Sequence, residues 1–195
     1  MNTKELILKN ALDMFAKSGY NAVSIRDIAK TVNIKESSIY YHFKNKQDIL
    51  DSLVEKYEAH IKKLSDMLQA SMSEPNHINS FSWDWLREFY FEQYLFDIFC
   101  NQMMRFMVIE QFHNEKMRIL YQLYLFELPK KIQTESFMML AQFGVMDKQQ
   151  AEEAANNFFA TISMLTFKYL LSGKLTAEKK ESFSKDVFAY INKMF

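Results

Sequence analysis

The chain has 195 residues, 49% hydrophobic and 25% charged, with a formal net charge of +0. This composition supports a buried core and excludes a disordered or low-complexity chain. The single cysteine, Cys100, excludes an intrachain disulfide; with an N-terminus that lacks a signal-peptide layout, it leads us to expect the reducing cytoplasm.

The first helix is expected to be capped by Thr3, to carry Ile7, Ala11, Met14 and Phe15 on one face, and to end at Gly19. A shorter helix follows. Ser24 is a good N-cap, and Ile25, Ile28, Ala29 and Val32 form its apolar face. Asn33 tolerates the left-handed backbone of a sharp turn, and Ile34 plugs the gap beyond it. Glu36, Ser37 and Ser38 open a third helix in which Ile39 and Phe43, four apart, face inward. Tyr40, Tyr41 and His42 are left near the surface beside Lys44 and Lys46, a set of donors that suits phosphate oxygens.

Two short helices around a tight turn form a helix-turn-helix, whose second helix lies in the major groove of DNA. A small helical hairpin with a solvated polar face is the plainer reading. Charge leans toward the first. Residues 1–50 hold eight Lys and Arg against five Asp and Glu, and the remainder holds 16 against 19. A mildly basic head on a mildly acidic body fits phosphate contact by the head alone.

A fourth helix begins near Lys46 with Ile49, Leu50, Leu53, Tyr57, Ile61, Leu64 and Leu68 on one stripe, long enough to join head and body. Further helices are expected over 78–97, 98–112, 114–143, 148–172 and 177–193. Pro129 marks a kink or break, and Asp147 and Thr176 cap the last two. The apolar stretch 95–112 contains Asp97, Arg105 and Glu110, which argues against a membrane span. No alternating strand pattern appears.

Glu110 and His113 have the Glu-x-x-His spacing of carboxylate-bridged metal sites, but such sites need a second copy. A surface Glu and His is therefore expected, with no metal and no cofactor. His60 and His77 lack companions at ligand spacing, and no phosphate loop or nucleophile motif points to an enzyme.

The run Ile39-Tyr40-Tyr41-His42-Phe43-Lys44-Asn45-Lys46, with Ile25-Arg26-Asp27-Ile28-Ala29 before it, resembles the signature of the tetracycline-repressor (TetR) family of bacterial regulators. The resemblance covers Thr3 to about Leu53. Asn33 stands where the family usually has Gly, Lys35 where it often has Ser or Thr, and Ser37 where it often has Gly.

The resemblance implies an all-α protein. Residues 1–46 are then a three-helix, helix-turn-helix DNA-binding domain, and residues 47–195 a larger helical ligand-binding and dimerisation domain. By the family pattern Lys35, Glu36, Ser37 and Ser38 reach base edges. Tyr40, Tyr41, His42, Lys44 and Lys46 hold the DNA backbone, helped by Ser24 and Arg26.

The resemblance also implies an inducer chamber in the body. The segment 80–126 is dense in aromatics and methionine, adaptable wall material for an apolar or aromatic ligand. Trp85, Phe89, Phe99, Met103, Phe106, Met107, Tyr121 and Tyr124 are the candidate wall; for any one of them ordinary core packing is the commoner role. The last two helices would pair with a second copy to form a homodimer, or close the protomer's own core. The function expected is that of a transcriptional regulator, a repressor released from a palindromic operator by a small molecule. The alternative is a DNA-bound adaptor whose body grips a protein.

Overall fold

Helix α1 (Thr3–Ser18) opens on a reciprocal cap: the Asn2 side chain accepts from the Glu5 N–H, and Glu5 returns the bond to the Asn2 N–H. The cap is Asn2, not Thr3, because the capping residue keeps an extended backbone while its side chain reaches the third helical amide. The computed structural model describes residues 2–72 and 86–192. Helices α2 (Ile25–Val32) and α3 (Glu36–His42) follow. Ser24 and Asp27 form a second capping box, and Asn33 takes the left-handed conformation at φ 58° and ψ 45°. The turn closes when Ile34 N–H donates to the Ala29 carbonyl at 3.0 Å. Ile28, Ile39 and Phe43 are buried between these helices and α1. Truncating Ile39 to Ala would cost about 2–5 kcal/mol.

Helix α4 (Lys46–Met72) buries the expected stripe from Ile49 to Leu68. The body continues with α5 (Leu86–Leu95), α6 (Ile98–Glu110), α7 (Glu115–Gln122), α8 (Leu128–Gln142), α9 (Lys148–Leu165) and α10 (Ala177–Ile191). Helix α5 is wound with wide i→i+5 turns. No strand occurs among the described residues, and no helix among them is long and apolar enough to cross a membrane.

Pro129 does not break the chain. A single wide turn, Leu123–Glu127, joins α7 to α8, and Leu128 N–H reaches back five residues to the Leu123 carbonyl. The proline lacks an N–H and crowds the preceding turn, so the helix widens just before it and continues. A second wide turn, Thr166–Leu170, ends α9. There the buried Asn101 side chain donates to the Leu170 carbonyl at 3.0 Å.

Helix α8 lies along α9, and α10 packs on α9 and its wide turn. Ala151, Ala155, Phe158, Ile162 and Leu165 of α9, with Phe183, Val187 and Ile191 of α10, are thereby buried within one protomer. These apolar faces considered for dimerisation are therefore core: α8 covers that of α9, and Phe183 of α10 meets Phe91 and Phe96. Among the residues that α9 leaves exposed, Glu153, Asn157, Ala160 and Met164 form one stripe at helical spacing.

Helix α6 runs against α1, and one continuous apolar core extends from the head into the body. Phe15 and Phe106 stack at 5.4 Å between ring centres, and the Gln102 amide donates to Asp13 at 3.0 Å.

Candidate nucleic-acid interface and body chamber

Helix α3 has only seven residues, so its fixed position comes from packing. Ile39 and Phe43 anchor it from below, and Lys4 places its ammonium 5.4 Å from the Phe43 ring centre. The opposite side is open. Tyr40 is 54% exposed and Tyr41 87%, large values for rings with no apolar partner outside. Tyr41 stands edge-on to His42 at 5.1 Å. Lys35, Glu36 and Ser37 are exposed at the start of the helix, Ser38 and His42 are half-buried, and Lys44 is exposed just beyond its end. Arg26 is exposed on α2.

Two expected contacts have other work. The Ser24 hydroxyl accepts from the Asp27 N–H at 3.1 Å, so it holds the start of α2. Its hydrogen bonds to Asp27 hold that carboxyl below the ordinary aspartate value. Lys46 is a correction. Its ammonium donates to the carbonyls of Tyr20 at 2.9 Å and Val23 at 2.8 Å, and lies 4.0 Å from the Tyr20 ring centre. Burial lowers its pKa, with the nearby Glu110 charge opposing. Lys46 closes the loop between α1 and α2 and does not point outward to phosphate.

Glu110 corrects a second expectation. It is 3% exposed, not a surface group, and its carboxylate accepts the Tyr20 N–H at 2.7 Å. The end of α6 is thus tied to the loop that Lys46 closes. The signal in the sequence was a lone acid ending the apolar run Phe106-Met107-Val108-Ile109. His113, by contrast, is exposed as expected.

In the body, the candidate wall residues separate. Trp85 lies outside the described residues, and Phe89 is described only in its backbone. Phe106 stacks on the head, and Met103 and Met107 are fully buried beside it on α6. Tyr121 packs on Phe126 at 5.3 Å, away from the rings gathered by Tyr57. Phe99 and Tyr124 come together around Tyr57, at 6.3 Å and 5.0 Å. Tyr94 donates to the Tyr124 carbonyl at 3.0 Å, and the Gln133 amide donates to the Tyr90 hydroxyl at 3.1 Å. Burial raises the pKa of Tyr57, Tyr90 and Tyr94, which keeps all three phenols neutral. The Tyr57 hydroxyl and the Gln133 carbonyl oxygen are buried without a hydrogen-bond partner. Such orphans are rare and mark places where a polar group is missing.

A helix-turn-helix head stands on an all-helical body. The pattern described as bacterial regulatory proteins, tetR family, matches residues 7–53. The head is thus similar to that family over residues 7–53. A relative is the biofilm operon icaADBC HTH-type negative transcriptional regulator IcaR of Staphylococcus aureus (strain Newman), 38% identical over 95 residues, or 49% of this chain and 47% of the relative. The chain thus spans about half the length of the curated relatives it matches. Two solved structures share the whole fold. A transcriptional regulator (TerR/AcrR family) from Aquifex aeolicus VF5 aligns with a TM-score of 0.66 at 18% identity, over 100% of both chains. A Saccharomonospora viridis protein in complex with choline aligns with a TM-score of 0.62 at 21% identity, over 95% of both.

Proposed function

We propose that this chain is a ligand-controlled transcriptional regulator, acting as a repressor, and not an enzyme. The observation that carries the reading is the exposed pair Tyr40 and Tyr41 on a helix whose other face is locked by Ile39 and Phe43. Lys35, Glu36, Ser37 and Ser38 read base edges; Tyr40, Tyr41, His42 and Lys44 grip the sugar-phosphate backbone, with Arg26 beside them. Repression is supported by the likeness to a negative regulator over 49% of the chain. The working unit is a homodimer in the cytoplasm, joined through the outer stripe of α9 that ends in Met164. Two heads about 34–36 Å apart would then meet the half-sites of a palindromic operator.

The inducer is an apolar or aromatic molecule with a hydrogen-bonding group, held among Tyr57, Phe99 and Tyr124. Tyr57 would donate to it and Gln133 accept from it. The complex of a fold neighbour with choline supports small-molecule binding by a chain of this fold. Ligand shifts the population toward states whose heads no longer match the half-sites.

The test is selection on random duplexes, followed by affinity measurement over a range of salt. A twofold-symmetric half-site and an affinity that falls steeply with salt are expected. Tyr40→Ala should weaken operator and random duplex alike, whereas Ser38→Ala should change the preferred base and cost about 1–3 kcal/mol on the operator alone. No selectivity on any duplex, or identical losses for both variants on both duplexes, would overturn the assignment.

A further inference from the structure

Three potential metal-binding side chains converge where α4 passes the start of α6. His60, Asp97 and Cys100 place one ligand atom each within 4.8 Å of one another. Spacing alone does not reveal the cluster, because His60 stands 37 positions before Asp97 and lies on α4, whereas Asp97 caps α6 and Cys100 lies in its first turn. His60 and Asp97 are half-buried, and Cys100 is fully buried.

Each side chain is held in place for a reason independent of any metal. Asp97 is the N-cap of α6 and accepts from the Cys100 N–H at 2.8 Å. The cap fixes Asp97 and the first turn together, so carboxylate and thiol share one rigid unit. His60 lies across from them with Nε2 3.5 Å from the Gln93 carbonyl. With its proton on Nε2, facing that carbonyl, the imidazole keeps the lone pair on Nδ1. The Phe99 ring stands edge-on to His60 at 6.5 Å and screens the group on one side.

We propose that His60, Asp97 and Cys100 form a binding site for a zinc-class divalent cation that straps α4 to α6. One thiolate, one carboxylate and one neutral imidazole carry two negative charges, which a dication neutralises in a half-buried setting. Sulfur, nitrogen and oxygen donors together suit zinc and cobalt better than magnesium or calcium, which prefer oxygen alone. Three protein ligands leave one tetrahedral position for water. Binding replaces the Cys100 thiol proton with the metal, and that proton passes to solvent. The far end of α6 carries Glu110, so the strap holds the same helix that meets the head. The site itself does not depend on the regulatory reading.

The experiment is titration of cobalt(II) into the tag-free, reduced, full-length chain, with folding checked by circular dichroism. One equivalent is expected to bind with a thiolate-to-cobalt charge-transfer band. Cys100 is the chain's only cysteine, so that band reports on this site alone. Cys100→Ser should abolish the band. Asp97→Asn is the decisive variant, because Asn caps a helix as well as Asp does and removes only the anionic ligand. Asp97→Asn and His60→Gln should each weaken cobalt binding by at least about tenfold, since loss of even an outer-shell partner costs ~10–100-fold. A folded parent with no such band, a band that survives Cys100→Ser, or unchanged affinity in both other variants would overturn the site. These outcomes are read without DNA and are independent of duplex binding.

Discussion

Glu110 and Tyr20 are 90 residues apart in the chain, yet the Glu110 carboxylate accepts the Tyr20 N–H at 2.7 Å. The bond ties the last residue of α6 to the loop between α1 and α2, and that loop carries α2 and α3. Lys46 holds the same loop from the other side through the Tyr20 and Val23 carbonyls. A movement of α6 therefore reaches the head through a short polar contact and the Phe15–Phe106 stack.

Removing the acceptor should be costly and replacing it much less so. Glu110→Ala leaves the Tyr20 N–H unpaired in a half-buried place, and leaves the Lys46 ammonium without its neighbouring negative charge. A loss of about 1–3 kcal/mol is expected in urea unfolding. Glu110→Gln keeps an oxygen acceptor and loses only the charge, so it should fall between parent and Ala. Equal losses in the two variants would show that the hydrogen bond is not the stabilising feature.

Gly19 is the other half of this junction. Its φ of +80° is one that side chains rarely adopt, and a Cβ there would lie 2.8 Å from the Glu110 carboxylate oxygen. Gly19→Ala should cost about 1–3 kcal/mol from backbone strain, plus the displaced hydrogen bond. Truncating Glu110 removes the atom that the methyl group strikes. The double variant Gly19→Ala/Glu110→Ala should therefore be more stable than the sum of the single losses predicts, by at least about 0.5 kcal/mol. Strict additivity would mean the clash is relieved at no cost by side-chain movement.

The head was legible because its determinants are local. Ser24, Asp27 and Asn33 act within a few residues, and the spacing of Ile39 and Phe43 states which side of α3 faces inward. The junction was not legible. Lys46 stands in a run of surface cations, and only the fold shows it meeting two carbonyls 26 and 23 residues earlier. The α9 face misled for a different reason. Alanine and phenylalanine at helical spacing fit a second copy or the protomer's own α8 equally well, since both bury apolar area in the same way. The cluster of His60, Asp97 and Cys100 joins a pair three residues apart at the start of α6 to a distant histidine on α4, and only the fold brings the two parts together.

Acid should loosen the start of α2 through Asp27. The Ser24 hydrogen bonds hold the Asp27 carboxyl below its ordinary value in the folded chain. The unfolded state then binds its proton first as pH falls. The contribution is complete above the unfolded value and is lost as pH drops through the folded one. Asp27→Asn keeps an acceptor for the Ser24 N–H but cannot titrate. Urea midpoints measured over a descending pH series should fall less steeply for Asp27→Asn than for the parent in the acid range. Parallel slopes would remove Asp27 from the acid response.

The Tyr57 hydroxyl offers a sharper test of the proposed ligand site. It is buried among Phe99, Tyr124 and Tyr94 with no hydrogen-bond partner, so the free protein bears its desolvation cost. Tyr57→Phe deletes that oxygen and keeps the ring contacts at 6.3 Å and 5.0 Å. The ligand-free variant should be more stable than the parent by about 1 kcal/mol in chemical denaturation. A ligand that accepts from Tyr57 should bind the variant more weakly by a similar amount. Opposite signs for stability and binding are what distinguish a residue held ready for a ligand from one that only fills the core. Filling alone would leave ligand affinity at its parent value, because the ring is unchanged.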